Sequence, residues 1–253
     1  MGIRDRIAGT CICLILLCGL LPGGVAGQTL QGRVLDQRDG RAVPQTLVRL
    51  LDGAGEQVSL TISDLTGRYR LEAPAPGRFV IEAERVGFRD YRSQEVELPR
   101  AGGTYEVDLL VVSEPIALRG LEVTGLQREA VERRLRLLIG MSPSSIRHRP
   151  IMGAVVQEHV QKGHDLADLI RWQNLPSIHV RQTRDGPCFQ FRTRSCLPTY
   201  LDGVRQRPEV VPFLPLDLVM SIVVLQPNES AQYEAGGVLL YTRSWLGAAR
   251  DGR

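Results

Sequence analysis

Lysine is almost missing from this chain: Lys162 is the only one in 253 residues, so the basic character is carried by arginine. Aromatic residues are scarce as well, with five Phe, six Tyr and two Trp. A sugar-binding face built from exposed rings is therefore poorly supplied. The net charge of +3 is too weak for a surface that tracks nucleic-acid phosphates. No apolar run reaches the ~20 residues that a membrane-spanning helix needs. Catalytic patterns are missing too. Serines occur near His164 and Asp165, but nothing forms a nucleophile elbow or an ordered triad, and no glycine loop for phosphate is present. The four histidines, His148, His159, His164 and His179, lack metal-ligand spacing and read as core or surface residues. These absences rank an enzyme below a binding or structural protein and give no sign of a cofactor.

What is present begins with a leader. Arg4 and Arg6 precede an apolar run over residues 12–21, which ends in Pro22-Gly23-Gly24. Val25-Ala26-Gly27 then offers small residues for cleavage. This is the pattern of a secretory signal over residues 1–27, with Gln28 as the first mature residue. A membrane anchor would need a longer run. A lipoprotein built on Cys18 would need a small residue where Leu17 stands. Cys11, Cys13 and Cys18 leave with the leader, and the mature chain keeps Cys188 and Cys196. An oxidising compartment would join that pair, with two free thiols as the alternative. Closing so short a loop stabilises by roughly 2 to 3 kcal/mol in chain-entropy terms.

The mature length suggests two domains, and the charge divides with them. Residues 28–125 hold 12 Arg and 15 acidic residues, net −3, whereas residues 126–253 hold 16 Arg, one Lys and 12 acidic residues, net +5. The first part is a series of short extended runs. Tyr69, Leu71 and Ala73 alternate with Arg68, Arg70 and Glu72, and Phe79, Ile81 and Ala83 alternate with Val80, Glu82 and Glu84. Period-2 alternation on both sides of the Pro76-Gly77 turn predicts two antiparallel strands. Asp64 and Gly67 enter this pair as turn formers, Asp64 by bonding its own backbone. Further strands are expected at residues 30–36, 46–51, 58–62, 91–98 and 105–112. About seven short strands with frequent turns argue for an all-β sandwich.

These residues carry a resemblance. GRVLDQRDGRAVPQTLVRLLD followed by TISDLTGRYRLEAPAPGRFVIEAERVGFR resembles the carboxypeptidase regulatory-like domain over residues 28–112. The resemblance implies a seven-stranded transthyretin-like sandwich that scaffolds or binds and does not hydrolyse peptides. It rests on Gly32, Val34 and Asp36, on Asp64 and Gly67, on Pro76-Gly77 and on Gly87-Phe88.

The second part is mixed. Residues 129–139 form an amphipathic pattern with Val131, Leu135 and Leu138 on one side, ending at Gly140. Such a basic helix either packs on its own domain or lies on a membrane surface. Residues 165–172 read as a short helix capped by Asp165, with Leu166, Leu169 and Ile170 inward. Strands are expected at 178–180, 189–192, 199–201, 221–225 and 237–242, a short helix at 214–219 and a turn or single helical turn at 230–235. Asp202-Gly203 marks a tight hairpin. DLADLIRWQNLPSIHVRQ, YLDGVRQ and DLVMSIVVLQPNESAQYEAGGVLLYTR together resemble the plug domain of TonB-dependent outer-membrane receptors, with Ser177 where that family has glycine after Pro176. The expected division is a sandwich at 28–113, a linker with a helix at 114–149, a plug-like α+β domain at 150–243 and a tail at 244–253. The expectation is a plug-like part without a receptor's barrel.

The resulting expectation is an exported, non-enzymatic binding or accessory protein of the bacterial envelope, periplasmic or attached to the outer membrane, with no membrane span after leader removal. Its partners would be an envelope protein or outer-membrane receptor, or a small molecule. A carbohydrate-binding module is the alternative, separated by whether Tyr69, Phe79, Phe88, Tyr91 and Tyr105 point outward. Residues 118–125, LRGLEVTG, are similar to the segment that TonB pairs with ahead of a receptor plug. Leu121, Glu122, Val123 and Thr124 would add a strand to a partner's sheet edge. A plain linker or a last sandwich strand is the alternative, and the one this reading favours.

Overall fold

The computed structural model describes residues 27–99, 102–114, 125–192 and 195–246. Nine short strands make the N-terminal sandwich: β1 (Gln28–Asp36), β2 (Leu47–Leu51), β3 (Gln57–Ile62), β4 (Arg68–Ala73), β5 (Gly77–Glu84), β6 (Tyr91–Arg92), β7 (Val96–Leu98), β8 (Thr104–Glu106) and β9 (Leu109–Val111). One sheet runs β4-β1-β8, with β9 also on β1; the other runs β3-β2-β5-β6, with β7 on β5. The alternation in β4 and β5 holds residue by residue, since Tyr69, Leu71, Ala73, Phe79, Ile81 and Ala83 are all buried. They meet Leu30, Val34, Val48 and Leu50 between the sheets. Asp64 forms the turn expected of it: its Oδ1 accepts from the N–H groups of Thr66 and Arg68, and Gly67 takes φ +74°.

Two expected strands are each split, which corrects the seven-strand count. Residues 91–98 break into β6 and β7 because the Ser93 hydroxyl, not a backbone carbonyl, accepts from Ile81 N–H at 2.9 Å. Residues 105–112 break into β8 and β9 at Asp108, whose carboxylate accepts from Arg33 N–H at 2.8 Å. Beside that break, Val107 N–H donates to the Gln31 carbonyl and the Val107 carbonyl accepts from Tyr69 Oη at 2.6 Å. The chain passes so close to β1 there that a Cβ on Gly32 would lie 1.9 Å from the Val107 carbonyl oxygen.

The C-terminal half contains α1 (Gly125–Ile139), β10 (Ile151–Met152), α2 (Gly153–Gln161) and α3 (Leu166–Trp172). It continues with β11 (Ile178–Thr183), β12 (Gly186–Phe191), β13 (Cys196–Leu197), β14 (Thr199–Leu201), β15 (Val204–Gln206), β16 (Val219–Leu225) and β17 (Gly237–Thr242). The main sheet is β10-β16-β17-β14-β15, and β11-β12-β13 is a smaller one. α2 went unread in the sequence because Val155, Val156 and Val160 are β-branched, poor helix formers in so short a segment. The helix expected at 214–219 is a 3₁₀ turn, Leu216–Leu218, with Val219 already in β16. Pro212 and Pro215 deny an α-helix its backbone donors there.

The remaining local expectations match. Asp165 caps α3 by accepting from Asp168 N–H at 2.8 Å. Asp202 and Gly203 both take positive φ between β14 and β15, as a tight hairpin requires. Cys188 and Cys196 are joined in a disulfide that ties β12 to β13. No helix among the described residues is long and apolar enough to cross a membrane, and that fact and the disulfide agree with export.

Every residue of β16 and β17 is buried. Val223, Leu225, Leu239 and Tyr241 face α1 through Val131, Leu135 and Ile139, so α1 packs on its own half. Ile222, Val224, Val238 and Leu240 face α2 and α3 together with Leu47 and Leu60 of the sandwich. The two halves therefore share one core across β2 and β3.

Gly32→Ala is expected to lower stability by about 4 kcal/mol or more, or to prevent folding, because backbone must move to admit the methyl group. Urea unfolding of Gly32→Ala beside Gly53→Ala, where a Cβ meets nothing within 4 Å, checks it.

Candidate functional site

The junction between the halves is organised by Arg49. In β2, Val48 and Leu50 point into the sandwich, so Leu47, Arg49 and Leu51 point the other way, toward the C-terminal sheet. Leu47 joins that second core, and Arg49 follows it inward with its side chain only 5% exposed. Its Nη1 donates to Glu84 Oε2 at 3.0 Å, and its Nη2 donates to Asp202 Oδ2 at 2.9 Å and to Thr242 Oγ1 at 2.8 Å. Glu84 is on β5, beside β2. Asp202 comes from the β14–β15 hairpin and Thr242 from the end of β17.

Asp202 is completely enclosed and fully engaged. Its Oδ1 accepts from Thr242 N–H at 2.8 Å and its Oδ2 from Thr242 Oγ1 at 2.6 Å, in addition to Arg49. Its own N–H donates to the Leu240 carbonyl, and its carbonyl accepts from Gln57 Nε2 of β3 at 3.3 Å. Ser244 Oγ donates to Glu84 Oε2 at 2.8 Å and closes the ring of contacts. Burial opposes the Arg49 charge, but Asp202 and Glu84 outweigh it and hold the guanidinium above its ordinary range. Burial pushes the Asp202 carboxyl up, against the pull of Arg49 and Thr242. Asp90 nearby is also pushed up, by burial and then by Glu84.

A cleft of about 440 Å³ opens beside this cluster, between β3 and the β14–β15 hairpin. Leu60, Ile62, Val204 and Val210 line it, and Leu65 and Phe213 stand exposed at its mouth. β3 and β15 are each the last strand of their sheet, and both contribute residues to the lining.

The residues singled out in the sequence lie elsewhere. Leu121, Glu122, Val123 and Thr124, and the leader up to residue 26, fall outside the described residues. Cys188 and Cys196 hold the small sheet together. The five sandwich aromatics turn inward: Tyr69 and Phe79 are buried, and Phe88, Tyr91 and Tyr105 pack against the same core. His148 and His159 are buried, and burial keeps both below the usual histidine range. His159 Nδ1 and His164 Nδ1 lie 2.9 Å apart beside Trp172, which is 69% exposed. Among the described residues no group of three or more His, Cys, Asp or Glu could hold a metal. Sequence reasoning missed the Arg49 cluster. The available signal was an arginine inside the apolar run TLVRLL, a charge that needs a buried partner once both faces of the strand are covered.

Arg49→Met is expected to destabilise the protein by about 3 to 5 kcal/mol, since it strands a buried Asp202 carboxylate. Adding Asp202→Asn should recover at least half of that loss. Urea unfolding of the two single variants and the double variant measures the coupling.

Residues 29–111 match the carboxypeptidase regulatory-like domain, and no receptor plug domain is found by that comparison. No curated protein matches the chain. Among solved structures, the Bacillus anthracis TIE protein is similar at 15% identity and TM-score 0.32, over 35% of this chain and 17% of that one. A Bacteroides uniformis protein described as a carbohydrate-binding candidate is similar at 16% identity and TM-score 0.29, over 34% of this chain and 41% of that one. Klebsiella pneumoniae 5-hydroxyisourate hydrolase is similar at 20% identity and TM-score 0.28, over 35% of this chain and 92% of that one. The matched stretch spans less than half of the first two proteins' own length. What these comparisons establish is that a carboxypeptidase regulatory-like domain occupies residues 29–111 of this chain.

Proposed function

We propose that this chain is an exported, non-enzymatic binding or accessory protein of the bacterial envelope, in which a regulatory-like sandwich carries a plug-like α+β domain over residues 150–243. The observation that carries this reading is Ser177, which takes φ +66° directly after Pro176. A left-handed backbone is where glycine is favoured, and glycine is what the receptor plug has at that place. Around it stand the other plug-like features in order: α3, the Asp202-Gly203 hairpin, and the turn that leads through Gly236, φ +71°, into β17. The polar groups of the junction support a scaffold in the same way, because Arg49, Asp202 and Thr242 are consumed in holding the halves together.

In this reading the plug-like half presents a partner-binding surface and the sandwich fixes its position. Residues 118–125 would be the place for TonB to pair, if a partner uses the chain as it uses a receptor. Carbohydrate binding is the second reading. The inward-facing sandwich rings remove the platform expected for it there, but Trp172 offers one exposed ring, with His164 stacked at 6.1 Å. A sugar packed on that indole would depend on Trp172 alone.

Cross-linking in the native envelope followed by mass spectrometry is expected to recover the mature chain with an outer-membrane barrel protein or another envelope protein. Recovery as a free periplasmic monomer would sink the accessory role. A pull-down with the periplasmic domain of TonB tests residues 118–125 separately. Loss of polysaccharide binding in Trp172→Ala, with folding intact, would decide for the carbohydrate reading.

A further inference from the structure

Gln28 opens β1 with its side chain fully buried, 0% exposed. It lies two residues before Leu30, on the side of β1 that faces the sandwich core. Neither its Oε1 nor its Nε2 has a hydrogen-bond partner. Buried polar groups are almost always paired, so an orphaned amide at the start of a core strand asks for a chemical reason.

The backbone around Gln28 suggests one. Thr29 N–H donates to the Gly103 carbonyl on the β8 side at 2.9 Å. Alternation along the ladder turns the N–H of Gln28 the other way, toward its register partner Ala73 on β4. Cleavage after Gly27 would leave an ammonium there, attached to a residue whose side chain sits in the core. Gly27 itself is exposed, so the freed amine stands at the surface end of the strand.

We infer that Gln28, once freed by leader cleavage, closes on itself to give an N-terminal pyroglutamate. The α-nitrogen attacks the side-chain carbonyl carbon Cδ, a Cδ–N bond forms, and the Cδ–Nε2 bond breaks. Ammonia departs with the proton surrendered by the α-amine, and no oxidant or second reactant is consumed. The five-membered lactam carries no charge and no longer has the unpaired side-chain NH₂. It also seals the first strand against aminopeptidases, which require a free α-amine. The inference rests on the export reading, because only cleavage after Gly27 frees that amine.

Intact-mass spectrometry of the protein recovered from an exporting cell, followed by sequencing of its N-terminal peptide, tests the inference. The expected result is a chain that starts at residue 28 and is lighter than its unmodified sequence by one ammonia, after allowance for the Cys188–Cys196 disulfide. The N-terminal peptide should resist stepwise degradation until pyroglutamyl aminopeptidase opens it. Gln28→Ala, exported in the same way, should show its full unmodified mass. A wild-type chain starting at Gln28 with full mass overturns the inference and leaves export standing. A start elsewhere beyond the leader also overturns it while keeping export, and a chain that retains Met1 overturns both.

Discussion

A guanidinium enters an apolar interface only if its charge is met on arrival. Arg49 is met by two carboxylates and a threonine hydroxyl, drawn from β5, from the β14–β15 hairpin and from the end of β17. Each contact constrains a different element: Glu84 keeps β5 in register with β2, Asp202 sets the direction of the hairpin, and Thr242 fixes where β17 ends. A buried ion pair of this kind is weak evidence for added stability, since well-packed apolar groups often do as well. Its stronger effect is on specificity. Any docking of the halves that leaves Arg49 or Asp202 unpartnered is penalised by an uncompensated buried charge, so the observed docking is selected over its neighbours.

The sandwich was legible because its information is local. Alternation in β4 and β5 names the core residues, and Asp64-x-x-Gly67 names a turn whose bonds lie within four residues. Legibility failed where a side chain stands in for backbone. Ser93 and Asp108 accept backbone N–H groups of other strands, from residues 12 and 75 positions away, and nothing in the spacing of apolar residues announces such a substitution. The junction was illegible for the same reason on a larger scale. Arg49 and Asp202 are 153 positions apart, and Asp202 looked complete as a hairpin residue, which it also is. One residue serves two roles here, and the local role hid the distant one.

Two runs did carry a non-local signal. β2 and β16 read as LVRLL and VMSIVVL, without the polar alternation that a strand with one wet face shows. Such strands are covered on both sides, so each predicts a layer beyond the sheet to which it belongs. For β16 the layers are α1 on one face and, on the other, α2, α3 and the sandwich's outer residues. For β2 they are the sandwich core on one face and the C-terminal half on the other. The exposed face expected of a free-standing sandwich is missing at β2 because the C-terminal half occupies it.

That shared strand bears on how the chain can act. Val48 and Leu50 belong to the sandwich core, while Leu47, one residue away, belongs to the C-terminal core. A hinge between the halves would have to lift Leu47 and Arg49 out of their contacts while Val48 and Leu50 stay in theirs, and alternating residues of one strand cannot do that independently. Separation would also expose Leu60 and leave Asp202 without its cation. The shared strand therefore opposes hinge motion between the halves, and a partner that engages the β11–β13 sheet or the β14–β15 hairpin meets a surface braced by both cores. For a scaffold or accessory protein this is the relevant property, since rigidity before binding lowers the entropy lost on association.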